Sequence, residues 1–417
     1  MFGVFDGHGG PQCSAAVARR LFKYMTVALY PEEARQLITE RTSYGDMART
    51  VESYERHRFI DWLVSSVDTE SHLRSDVFDG LYRYLDTYLS QLASHQLSLN
   101  VREAVRSAFL ALDDDLSLSA LPDSRGQLNA ESILSVLSGS CACVATVDGP
   151  NLHIANIGDS SAVLGVLSPT TGAWTARVLT RDHTIDNAEE VTRIKRQHPP
   201  QEEGTVLKGG RLLGQLYPLR AFGDVRFKWS ADLQKVILSP FLRRPPSAGS
   251  EAPDPDDYSM VIPPNYETPP YLTAAPEVFY HRLTPQDRFL VIASDGLWEM
   301  MSPDRVVRLI SDHLQGRITL TPYVRQRDST INDIISELRR RKEGERLQCL
   351  DRNSATHLIR AALGDSFSDL NRQYRQLSFY LSLPPGLSRE HRDDITVVVI
   401  YFNHAYLEQC LDRESDN

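Results

Sequence analysis

Phe2-Gly-Val-Phe-Asp-Gly-His-Gly-Gly10 is the stretch from which the fold is read. A short β-prone run, Phe2 to Phe5, leads straight into an aspartate and then into a glycine-rich loop spanning Asp6 to Gly10. The same arrangement recurs twice, in His153-Ile-Ala-Asn-Ile-Gly-Asp159-Ser and in Phe289-Leu-Val-Ile-Ala-Ser-Asp295-Gly. A fourth apolar run is its mirror image: Arg392-Asp393-Asp394-Ile395-Thr-Val-Val-Val places a pair of aspartates just before a strand expected over Ile395 to Phe402. In antiparallel pairing the end of one strand lies beside the start of its neighbour. Carboxylates hundreds of residues apart would therefore gather at one rim of one β-sandwich.

Taken singly, an Asp-Gly pair after a strand is ordinarily a hairpin turn. Four apolar strands with aspartate at their mouths ask for more, because carboxylates crowded together repel unless protonated or neutralised by cations. All-oxygen donors select hard ions such as Mg²⁺ or Mn²⁺ over zinc. Gly7 permits close approach, so its carbonyl is a candidate ligand beside Asp6. Glu299 follows Asp295 by four positions and shares its side if a helical turn begins there.

The rest of the chain supplies the frame. A helix is expected after the glycine-rich loop, with Ala15, Val17, Ala18, Leu21, Phe22 and Met25 on or near its buried stripe. Residues 30 to 100 read as mostly helical and carry no evident chemistry, and a further amphipathic helix covers about 100 to 118 with Asn100 as N-cap. Cys141 to Val147 and Asn151 to Ala155 read as strands of a hairpin turning at Asp148-Gly149, with Ser161 to Val166 as a third strand. Asn187 suits an N-cap with Glu190 completing a capping box, and Pro199 ends that helix. The proline-rich stretch at about 240 to 276 reads as a surface insertion within one domain spanning 1–417, and another helix follows Ser302-Pro303. No internal repeat is evident, and strands and helices do not alternate as a doubly wound parallel sheet requires.

Bulk properties narrow the function. The 417 residues are 41% hydrophobic and 24% charged, enough for a large core. A net charge of −10 argues against nucleic acid as a partner, as does the absence of a basic stripe, and so makes a carboxylate-metal nuclease a poor reading. The run Arg339 to Lys342 fits the C-terminal turn of a helix, where the dipole favours cations. Five cysteines show no disulfide spacing, suit a reducing compartment, and place Cys141 and Cys143 on one strand face as small buried groups. No run reaches the roughly 20 apolar residues of a membrane span. Gln12 to Tyr30 is free of acidic residues but suits a core-facing helix better than a transit segment.

The opening motif resembles the signature of the metal-dependent protein phosphatases, the type 2C family. Further family blocks follow in order: Ser138-Gly-Ser-Cys-Ala-Cys-Val, Asn156-Ile-Gly-Asp-Ser, Leu179-Thr-Arg-Asp-His183, Leu219-Arg-Ala-Phe-Gly-Asp224, Ala274-Ala-Pro-Glu277, Ala293-Ser-Asp-Gly-Leu-Trp-Glu299 and Arg392-Asp-Asp-Ile-Thr396. Within the family, Arg220 to Gln234 and Ile262 to Thr273 resemble the mitochondrial pyruvate dehydrogenase phosphatase branch. The resemblance implies an α+β fold, a four-layer α-β-β-α sandwich of two antiparallel sheets flanked by helices. It implies serine/threonine phosphatase activity with two or more Mg²⁺ or Mn²⁺ ions. Asp6 would bridge two ions, Gly7 would offer its carbonyl, and Asp295 and Asp393 would complete the first ion's protein ligands, with Asp394 as second choice. Asp159, Asp295 and Glu299 match a weaker third site, and His8 matches the residue that protonates the leaving serine oxygen.

The mechanism implied is attack on phosphorus by a water activated between cations, without a phosphoenzyme. The implied partners are the phosphorylated pyruvate dehydrogenase alpha subunit, the lipoyl domain of the acyltransferase core and a regulatory subunit, in the mitochondrial matrix. Family members carry an upstream strand pair with a phosphate-gripping arginine and an acidic ligand. This sequence opens at Met1, directly before the first motif, so those N-terminal strands are expected to be missing and activity to be impaired. A catalytically weak or inactive phosphoprotein-binding relative is the alternative reading.

Overall fold

The computed structural model describes residues 1–30, 84–85, 87–89, 91–92, 100–242, 258–315, 329–343, 351–364 and 370–415. Its strands, in chain order, are β1 (Phe2–His8), β2 (Gly139–Asp148), β3 (Asn151–Ile157), β4 (Ser161–Leu167), β5 (Trp174–Val178), β6 (Leu207–Lys208), β7 (Arg211–Leu212), β8 (Phe222–Gly223), β9 (Glu277–Arg282), β10 (Asp287–Ala293) and β11 (Val397–Tyr401). One sheet runs β1-β2-β3-β9 with β8 paired to β2, and a second runs β11-β10-β4-β5, every pairing antiparallel. The longer helices that matter here are α1 (Gln12–Leu29), α2 (Val101–Ser119), α3 (Ala130–Leu137), α4 (Ala188–Gln197), α5 (Pro303–Leu314), α6 (Ile331–Glu343) and α7 (Ser354–Gly364).

Strand alternation sorts the apolar side chains into three layers. Ala142, Val144, Ala155 and Ile157 face outward from the first sheet onto Val17, Leu21, Phe109 and Leu112 of α1 and α2. Val4, Cys143, Ala145, Leu152 and Ile154 face inward and meet Ala162, Leu164, Leu290 and Ile292 of the second sheet. Val163, Phe289, Val291 and Ala293 leave the far face for Val306, Val307, Ile310 and Leu358 of α5 and α7. That order of layers is the expected α-β-β-α sandwich. Gly165 in β4 serves the packing directly, since a Cβ there would lie 2.3 Å from the Phe289 ring.

Several local expectations are corrected. β1 does not stop at Phe5: Asp6, Gly7 and His8 stay in register with Cys141, Ser140 and Gly139, and the left-handed turn begins at Gly9. β4 does not extend the β2–β3 hairpin. Ile157-Gly-Asp-Ser160 instead carries the chain from the first sheet to the second, where β4 pairs with β10 and β5. Ala18 on α1 is exposed rather than core-facing, because the buried stripe runs through Cys13, Val17, Leu21, Tyr24 and Met25. Asn100 caps α2 as expected, with a full capping box supplied by Glu103. Asn187 caps α4, but the Glu190 side chain reaches Arg220 and Arg193 instead of the cap backbone.

The expected surface insertion over about 240 to 276 lies in part, at 243–257, outside the described residues. From Tyr258 onward it folds back: Val261, Tyr271, Leu272, Ala274 and Ala275 are buried. The Tyr271 hydroxyl accepts from the Glu267 and Thr268 N–H groups and bonds Glu202, which fixes this segment to the lobe carrying α4. Most of the helical reading of residues 30 to 100 lies outside the described residues. Arg339 to Lys342 falls in the last turns of α6. Among the described residues no helix is long and apolar enough to cross a membrane.

Candidate metal centre

The two sheets deliver their aspartates to the same end of the sandwich. Asp6 has the parity of Val4, so it stands on the inward face of β1, opposite Cys141 of β2. Asp159 follows the end of β3 within the crossing turn, where Gly158 has φ +87° and a Cβ would lie 2.2 Å from the Cys141 sulfur. That close approach lets the Cys141 thiol donate to Asp159 Oδ1 at 3.2 Å. On the second sheet, β10 ends at Ala293 opposite Val397 of β11, which brings Asp295 beside the segment that enters β11. The Ser294 N–H donates to Thr396 O at 3.1 Å and locks the two segments together.

Asp295 opens a single helical turn, Asp295–Trp298, and the Glu299 N–H donates to its carbonyl at 2.8 Å. The expected one-turn spacing of Asp295 and Glu299 is thus present. Gly296 packs against Asp393 and Asp394, with a Cβ there falling 2.5 Å from Asp394 O. The Asp394 carboxylate is 93% exposed and turns to Arg392, whereas Asp393 is only 30% exposed. Asp393, not Asp394, is therefore the member of the pair beside the cluster.

Electrostatics report the crowding. Burial, then the Asp295 carboxylate that shares a hydrogen bond with it, then Asp159 and Asp393, push Asp6 up to about 8. Burial and Asp295 raise Asp159 to about 6. Asp295 is raised by burial and by Asp393, and Glu299 by burial, Asp295 and Asp393. Asp295 Oδ1 is buried without a hydrogen-bond partner. Among the described residues no cluster of three or more His, Cys, Asp or Glu stands ready-made to hold an ion. The donor set nevertheless fits a hard divalent cation: it is all oxygen, it is mutually repulsive, and it contains an orphaned buried oxygen that a cation would satisfy. Beside it opens a cavity of about 630 Å³ lined by Asp159, Asp182, Tyr217, Asp295, Trp298 and Glu299.

His8 faces a partner absent from the sequence reading. Its Nε2 lies 2.5 Å from Asp224 Oδ2. Burial works against the imidazolium, but the Asp224 carboxylate outweighs it and the His8 pKa is raised. Asp224 ended one of the recognised blocks, yet nothing local marked it as the partner of a residue 216 positions away. Gly7 packs against Ser14, whose Oγ would lie 2.5 Å from a Cβ at that position.

These features define the class. The chain belongs to the protein phosphatase 2C family, whose model matches residues 69–341, and it is a metal-dependent protein phosphatase. It is 41% identical over 407 residues to the mitochondrial [pyruvate dehydrogenase [acetyl-transferring]]-phosphatase 1 of Homo sapiens, covering 97% of this chain and 72% of that protein. The human mitochondrial phosphatase 2 of the same name is 40% identical over 408 residues, with the same coverage. A protein phosphatase 2C homologue from Schizosaccharomyces pombe is 35% identical over 355 residues, 82% of this chain and 71% of that one.

Proposed function

We propose that this phosphatase removes phosphate from serine on the alpha subunit of pyruvate dehydrogenase, in the mitochondrial matrix, with two or more Mg²⁺ or Mn²⁺ ions. The observation that carries the reading is the meeting of Asp6 and Asp159 from one sheet with Asp295 and Asp393 from the other. Relatives named for pyruvate dehydrogenase, across nearly the whole chain, support the substrate. The lipoyl domain of the acyltransferase core and a regulatory subunit belong to the same proposal.

Asp6 would be shared between two ions, with the Gly7 carbonyl, Asp295 and Asp393 as further ligands. Asp159, Asp295 and Glu299 would hold a weaker ion. When bound, the cations supply positive charge for the phosphoryl oxygens and make water acidic enough to serve as nucleophile near neutral pH. The protein's own tasks are to fix the carboxylates, to keep the cleft beside Tyr217 and Trp298 open to a phosphopeptide, and to hold a proton at His8 for the departing oxygen.

The test is release of phosphate from phosphorylated pyruvate dehydrogenase by the purified chain. Activity should need Mg²⁺ or Mn²⁺, vanish in chelator, and fall at least a thousandfold in Asp6→Asn and in Asp295→Asn at saturating metal. Near-parental turnover in either variant would remove these carboxylates from the metal centre. A substrate left untouched while other phosphoproteins are dephosphorylated would remove pyruvate dehydrogenase alone.

A further inference from the structure

We propose that Asp224 is a positioning residue: it grips His8 by Nε2 and so assigns Nδ1 as the nitrogen that gives the leaving serine oxygen its proton. The inference rests on the reading of His8 as that proton donor.

The His8–Asp224 contact is built from several sides. Asp224 sits in the left-handed region at φ 50°, which few side chains other than Asn and Asp tolerate. Its N–H donates to Ser138 O at 3.1 Å, which fixes its backbone against the start of β2. The preceding residue is held as firmly: the Gly223 N–H donates to Asp113 Oδ1 at 2.9 Å. Asp113 in turn accepts from Lys228 Nζ at 2.8 and 2.7 Å, and Lys228 also donates to Ala221 O at 2.9 Å. The space for the pair is reserved by Gly139, directly opposite His8 in the β1–β2 ladder. A Cβ on Gly139 would lie 2.1 Å from both Asp224 Oδ2 and His8 Nε2.

A buried carboxylate held this way has one geometric consequence. An imidazole carries two nitrogens, and a carboxylate on one fixes both the tautomer and the ring plane. With Nε2–H committed to Asp224, only Nδ1 remains to meet substrate. As the phosphorus–oxygen bond of the ester breaks, its electron pair stays on the serine oxygen, which takes the Nδ1 proton. The attacking water forms the new phosphorus–oxygen bond and gives up a proton to solvent. His8 is left neutral, still bonded through Nε2–H, and regains its proton from solvent.

The experiment compares His8→Ala, Asp224→Asn, Gly139→Ala and the His8→Ala/Asp224→Asn double variant on a phosphoserine peptide and on p-nitrophenyl phosphate, whose leaving group needs no proton. Asn tolerates the left-handed backbone and matches Asp in shape, so Asp224→Asn should unfold within a few degrees of the parent and serves as the test even if Gly139→Ala folds poorly. Its kcat on the peptide should fall by about 10- to 100-fold, at least tenfold more than on the aryl phosphate, with the peptide KM held within threefold. The double variant should be no slower than His8→Ala, because Asp224 acts only through the imidazole. Losses that multiply in the double variant, or equal losses of Asp224→Asn on both substrates while His8→Ala discriminates, would overturn the positioning role and leave His8 as the acid. Equal losses of His8→Ala on the two substrates would overturn both readings, while the metal centre would stand.

Discussion

Cys141 shows how a single side chain links the two aspartates that the first sheet brings to the site. It lies opposite Asp6 in the ladder and donates to Asp159 Oδ1 across the turn. Burial holds its thiol well above the usual range, so it stays protonated and remains a donor. With Oδ1 engaged, Asp159 would offer Oδ2 to the proposed cation, and groups that orient a ligand in this way typically change metal affinity by about 10- to 100-fold when removed. Cys141→Ala should therefore weaken Mn²⁺ binding at the site containing Asp159 by roughly tenfold, and Cys141→Ser should largely restore it. Calorimetric Mn²⁺ titration of the folded variants reads this directly; an Ala variant that binds like the parent would reduce Cys141 to packing. The sequence marked Cys141 as a small buried group, and it is 3% exposed. Its bond to Asp159 was invisible because the partner lies within the turn that changes sheets, which no strand periodicity records.

At the scale of the element, α4 is held by a buried charge network as well as by the apolar anchor Ile194. Its buried Glu190 accepts from Arg220 Nε at 2.8 Å and Nη2 at 2.7 Å, and from Arg193 Nε at 2.9 Å, while Arg220 Nη1 reaches Ala275 O at 2.8 Å. Burial alone would raise Glu190, but the Arg220 and Arg193 hydrogen bonds overcome it and hold its pKa at about 2. A carboxylate depressed on folding contributes stability that is complete above its unfolded pKa, about 4.3, and is lost as pH falls towards the folded value. The stability gap between the parent and Glu190→Gln should be full at pH 6 and shrink as pH falls below about 4.5, in urea unfolding at each pH. A gap independent of pH would mean the arginines gain nothing from its charge. Local pattern revealed the α4 cap but not this network, since Arg220 is 30 positions from Glu190. Strands written as compact apolar runs, such as β2, β3 and β10, were legible within a few residues. The segment around Tyr271 was not, because prolines mask a buried stretch whose partners lie in the α4 lobe.

Across the whole molecule, carboxylates from the two sheets meet in one crowded cluster that a cation would neutralise. Asp6 belongs to the first sheet and Asp159 to the turn that leaves it, while Asp295 and Asp393 flank the β10–β11 pair of the second. Without metal they oppose one another, as the elevation of Asp6 to about 8 by burial and by Asp295 records. The repulsion acts across the interface formed by Val4, Ile154, Leu164 and Ile292, so the apolar layer between the sheets must overcome it. A ligand that binds only the folded state stabilises it by about 2.7 kcal/mol at one hundred times its Kd. The parent's unfolding midpoint should therefore climb steadily with the logarithm of Mg²⁺ or Mn²⁺ concentration and drop when chelator is added. Asp6→Asn removes one carboxylate from the repelling set and, on the proposed assignment, one shared ligand from the cation site, and these two effects have opposite signs. In chelator that variant should melt at or above the parent's temperature; in saturating Mn²⁺ it should melt below it, because most of the metal-induced shift is gone. Differential scanning calorimetry across a metal series separates the two effects. A parent whose midpoint ignores metal, or an Asp6→Asn variant that melts well below the parent in chelator, would show that these aspartates are not a repelling cluster stabilised by cations.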